Sequence, residues 1–139
     1  MKFSFKKVVI WLLAMVVVAV VIVQPGTQSS KYVFQVETIS NTCTFDEYQQ
    51  QDVRTVGDSI LIVMPIQTAT PCYDAEGTVS FYGNDVTVNL DAVKKGEVCV
   101  ECVGIVVARV TISNLDSGLY NVQINTPDKS LTYNNMKIR

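Results

Sequence analysis

The chain has 139 residues, with eleven Lys+Arg against thirteen Asp+Glu and no histidine. That length fits one domain plus its termini. The missing histidine removes Ser-His-Asp and Cys-His nucleophile pairs, imidazole acid–base catalysis and imidazole metal ligation together. No basic cluster is present, and nucleic acid is held through clustered Lys and Arg, so it is excluded as a partner.

Residues 8–23 read VVIWLLAMVVVAVVIV, an uncharged apolar run behind Lys2, Lys6 and Lys7. A basic flank before such a run is the pattern of a secretory signal or a signal anchor. The run would make a helix of about 24 Å. That is slightly short of the ~20 residues of a typical span, and Phe3, Phe5 and snorkelling lysines extend it. After Val23 the chain continues QPGTQSS, without the small-residue pair a signal peptidase needs. The reading is therefore an uncleaved anchor over residues 1–24, seated in the lipid bilayer through residues 8–23, with a removed signal peptide and a secreted product as the alternative. Basic flanks stay inside, so the amino terminus is expected in the cytoplasm. A short linker (25–30) and a domain at 31–139 are then extracytoplasmic. Without its three flanking lysines the outer part carries eight basic against thirteen acidic residues, a net charge of −5.

From Lys31 onward the pattern is alternating and β throughout. Residues 31–38 (KYVFQVET) place Tyr32, Phe34 and Val36 on one face. Residues 59–66 (SILIVMPI) are apolar on both faces, with Pro65 expected to end the strand because it cannot donate to a ladder. Residues 78–82 and 85–91 flank Gly83-Asn84, a two-residue hairpin signal. Residues 104–113, 119–125 and 130–138 complete seven short strands. Residues 41–58 read as a long loop with one helical turn at 46–51. Strands at this spacing, with one wet and one packed face, indicate an antiparallel sandwich.

Between the fifth and sixth of these strands the sequence runs VTISNLDSGLYNVQI. Leu115, Gly118 and Tyr120 match L-x-x-G-x-Y, which resembles the tyrosine corner of immunoglobulin-like and fibronectin type III sandwiches. The resemblance implies a phenol that covers the end of the core and bonds upstream backbone. A buried tyrosine needs such a partner, since an unsatisfied hydroxyl costs about 1–3 kcal/mol. The chain departs from the antibody pattern in two ways: its only tryptophan is Trp11, and the strand holding Tyr120 has no cysteine.

Cys43, Cys72, Cys99 and Cys102 all lie beyond the apolar run. An even cysteine count in a small exported domain points to structural disulfides. One sheet end can bring Cys72 and Cys99 together, leaving Cys43 for Cys102; Cys99 with Cys102 and Cys43 with Cys72 is the alternative. The motif CVEC (99–102) is also the spacing of a redox pair or half a zinc site. It does not open a helix, and the other two cysteines are isolated, so disulfides are the stronger reading. Asp74, Glu76, Asp85 and Asp91 surround one hairpin but lack the regular spacing of a calcium loop, and turns favour Asp and Gly in any case. No Gly-rich phosphate loop is present. Lys94-Lys95-Gly96 reads as an exposed turn.

These residues point to no catalytic group, metal or cofactor. The expected protein is a membrane-anchored, non-catalytic binding or structural accessory of a cell-envelope assembly, with a protein partner or self-association. A surface filament joined by strand exchange through residues 31–38 and a cysteine-based metal or redox carrier are the competing expectations.

Overall fold

The computed structural model describes residues 31–43, 51–96 and 98–139. The expected anchor at 1–24, the linker at 25–30 and nearly all of the helical turn at 46–51 lie outside the described residues. Within them every regular element is a strand: β1 (Val33–Cys43), β2 (Asp52–Val56), β3 (Ser59–Thr68), β4 (Tyr73–Tyr82), β5 (Asp85–Lys94), β6 (Gly104–Ser113), β7 (Gly118–Asn125) and β8 (Ser130–Ile138). They form two four-stranded sheets, in the orders β1-β6-β3-β2 and β4-β5-β7-β8.

Alternation does the folding work. From the first sheet, Ile60, Ile62, Met64 and Ile66 of β3 and Val106, Ala108, Val110 and Ile112 of β6 are buried. From the second, Val86, Val88 and Leu90 of β5 meet them with Tyr120, Val122 and Ile124 of β7 in one common core. Each such aliphatic side chain contributes roughly 1.5–3 kcal/mol on leaving water. The outer strands bury less: Phe34, Val36, Val79, Phe81 and Tyr133 are partly covered and pack against that core.

Eight strands replace the expected seven, because β2 lies within the stretch read as a loop. DVRTV is short and polar outward, so its alternation is weak. Only Val53 and Thr55 turn toward the core, opposite Ile62 and Ile60. β1 also continues to Cys43, past a bulge between Thr38 and Ser40 that interrupts its alternation. β3 runs through Pro65 to Thr68, although the proline was expected to stop it. Among the described residues the pairing of β2 ends at Asp52 opposite Val63, so Pro65 has a ladder neighbour only in β6. A strand with one free side tolerates proline. The β4–β5 hairpin is longer than its sequence signal, pairing Tyr73 with Lys94 at one end and Tyr82 with Asp85 at the other. Its turn is the expected Gly83-Asn84, with Gly83 at φ 60° and Asn84 outside the positive-φ region, as in a II′ hairpin.

The second sheet is not wholly antiparallel: β5 and β7 pair in parallel. The single strand between them, β6, lies in the other sheet. The chain therefore crosses over and back, and returns beside β5 in the same direction. Val86 and Val88 of β5 then stand beside Val122 and Ile124 inward, while Asp85, Thr87 and Asn89 stand beside Asn121, Gln123 and Asn125 outward.

Candidate functional site

The strand directions give the sandwich two unlike ends. Residue 31, the Gly83-Asn84 turn and the β6–β7 connection share one end. There Tyr120 is only 3% exposed, and its hydroxyl donates to the Asp116 carbonyl at 3.1 Å. Burial, then the neighbouring Tyr32, pushes the phenol pKa up. Leu115 is buried, and its N–H donates to the Asp58 carbonyl at 3.0 Å. Asn114 takes the left-handed φ of 64° that lets the chain turn there. Gly118 has an ordinary φ, and a Cβ on it would meet only ordinary contacts, the nearest at 3.6 Å. Lys31 pairs with the Asp116 carboxylate, which raises the ammonium pKa, and Tyr32 stacks on Phe81 with ring centroids 4.2 Å apart.

The four cysteines gather at the opposite end. Cys43 is bonded to Cys102 and Cys72 to Cys99, with Cα–Cα distances of 5.7 and 5.9 Å. Of the two pairings the sequence left open, this is the one in which neither bridge closes locally within CVEC. It ties the loop at 95–103 to the end of β1 and to the β3–β4 connection. The Cys102 N–H donates to the Val100 carbonyl at 3.1 Å, and the Lys95 N–H to the Cys72 carbonyl at 2.8 Å. Gly104 must lack a side chain, because a Cβ there would lie 2.4 Å from the Thr70 carbonyl group. The stapled loop nevertheless presents valines outward: Val98 is 94% exposed and Val100 67%.

Beside that loop, the outer face of the second sheet holds a groove of about 560 Å³ lined by Glu76, Thr78, Asn89, Asp91, Val93 and the 125–127 turn. Glu76 and Asp91 face each other directly across β4 and β5. Asn125 donates to Asn89 at 2.8 Å and accepts from Ser130 at 2.7 Å, which fixes the amide side of the groove. The acidic residues expected around one hairpin divide between the two ends. Asp85 accepts from Asn121 at 2.8 Å at the tyrosine end. Asp74 pairs with Lys95 at 2.9 Å at the disulfide end, and that hydrogen bond raises the lysine pKa. Asp74 and Glu76 lie on a strand and not in a turn. Among the described residues no three His, Cys, Asp or Glu side chains form a metal-binding group. The sequence reading missed the groove because Asn125 to Pro127 reach it only through the parallel β5–β7 pairing, which leaves no local signal.

No protein family, curated protein or solved structure matches the chain.

Proposed function

We propose that this chain is a membrane-tethered, extracytoplasmic binding module that serves a cell-envelope assembly without catalysing a reaction. One observation carries the reading. Two exposed valines, Val98 and Val100, sit on a doubly disulfide-bonded loop at the end of the sandwich away from residue 31. β1 spans the distance between those ends, about 34 Å for its eleven residues. Two staples order the loop in advance, which lowers the entropy lost on binding. An anchor at 1–24 would tether the domain to the bilayer, and the valine loop would serve as its contact with a protein partner. The two bridges suit the oxidising side of a membrane.

We read the sandwich as an immunoglobulin-like variant. The corner formed by Tyr120 and Asp116 supports that kinship, and strand order qualifies it. In immunoglobulin domains the first strand of the corresponding hairpin adjoins the corner strand; here the second, β5, does so in parallel.

Intact-mass analysis of native membrane and soluble fractions, with and without reductant, tests the proposal. The full-length mass in the membrane fraction, gaining hydrogens only after reduction, is the expected result. A soluble chain beginning near Thr27, recovered in large polymers, would replace it with the filament reading.

A further inference from the structure

Among the described residues each sheet has two edge strands, and three of the four are blunted in ways that oppose further pairing. β1 carries the bulge at Ile39. β8 bulges where Asn134 and Asn135 together face Asn121, with Asn135 at φ 57°. β2 is only five residues long and carries the Asp52–Arg54 ion pair. β4 is ten residues long and pairs with β5 without a bulge.

The free side of β4 can be assigned residue by residue. The Ala75 N–H donates to Thr38 Oγ1 of the other sheet at 2.8 Å, so it points away from β5. Strand alternation turns the N–H and C=O groups of Gly77, Val79 and Phe81 the same way. Their side chains face the core, while Asp74, Glu76, Thr78, Ser80 and Tyr82 face outward, with Tyr82 86% exposed.

We infer that β4 pairs antiparallel with β4 of a second copy of this chain, about a twofold axis through Thr78. That register joins groups of the correct phase: Gly77 exchanges hydrogen bonds with the second copy's Val79, and the Phe81 N–H meets the Ala75 carbonyl, while the Ala75 N–H keeps its bond to Thr38. It sets small against large on the inner side, glycine opposite valine and alanine opposite phenylalanine. On the outer side it sets Asp74 opposite Tyr82 and Glu76 opposite Ser80, so no carboxylates meet. Shifting the axis to Gly77 pairs glycine with glycine and leaves Tyr82 unmatched. The strand is thus self-complementary, as an isologous interface requires, and the two sheets join into one. This inference does not depend on the tether or on the valine loop, so either can fail alone.

Full-length protein carrying Thr78→Cys supplies the test. Residue 78 would fall at a non-hydrogen-bonded pair, where facing Cα atoms approach to about 4.5 Å. Mild oxidation should give a covalent dimer joined through position 78, mapped by peptide mass, and Glu76→Cys should stay monomeric. Val79→Pro removes a donor on the free side while sparing the β4–β5 ladder. It should abolish dimer formation in the Thr78→Cys background and keep the β circular dichroism of the parent. A Thr78→Cys protein that stays monomeric on oxidation, or a dimer that survives Val79→Pro, would overturn the inference.

Discussion

Thr38 and Ala75 hold the two sheets together along one side: the Thr38 hydroxyl oxygen accepts the Ala75 N–H at 2.8 Å across the gap between β1 and β4. Ala75 is buried, so its donor has no ready replacement. Thr38→Val keeps the shape and orphans that N–H. A buried donor left unpaired costs about 1–3 kcal/mol. The urea midpoint should fall accordingly with the slope unchanged, and an unshifted midpoint would show that water takes over the bond.

Tyr120 couples the fold to alkaline pH. Burial raises its pKa above the ordinary 10.0, so the folded state holds the phenolic proton more tightly than the unfolded chain. Stability from this group is complete below about pH 10 and declines as pH rises toward the folded value. Tyr120→Phe loses the bond to Asp116, about 0.5–1.5 kcal/mol at neutral pH, and also loses this alkaline slope. Urea titrations from pH 8 to 11 should show the two proteins converging, and parallel curves would contradict the assignment.

The two disulfides should contribute almost equally, although their sequence separations are 59 and 27. The Cys72–Cys99 bridge lies inside the Cys43–Cys102 loop. With the inner bridge closed, the outer one closes a ring of only about 32 residues. Chain entropy then assigns about 3.5 kcal/mol to each. Serine replacement of either pair should lower stability by similar amounts, read from denaturant midpoints. Losing both removes about 7 kcal/mol, comparable to the whole stability of a small domain, and should leave an unfolded chain at 37 °C.

Gly104→Ala tests the disulfide end independently of sulfur. The added methyl meets the backbone of Thr70 and Pro71, which cannot swing aside like a flexible side chain. Overpacking of this kind costs about 1–3 kcal/mol. Gly118→Ala, whose added methyl meets only ordinary contacts at the tyrosine end, should change the melting temperature much less. Equal losses at the two glycines would refute this account.

Much of the architecture is legible in one dimension. Wherever a strand lies centrally, as at Ile60 to Ile66 or Val106 to Ile112, period-two hydrophobicity marks both its existence and its inward face. Gly83-Asn84 announces its hairpin because the turn chemistry is local. Weakly patterned edges were lost: β2 hides in polar sequence, and the tail of β1 lies beyond a bulge that breaks the period. Pro65 misled because its effect depends on whether a neighbour occupies the side it faces.

The sequence alone determined an all-β domain, its inward residues, and a tyrosine whose hydroxyl needed an upstream acceptor, because each follows from side-chain periodicity or short-range bonding. Only the tertiary structure decided the parallel neighbour of β7, the partners of the four cysteines, and the groove joining Asp91 to Asn125. Those depend on which strand ends meet after the chain crosses between sheets, and no local preference encodes that meeting.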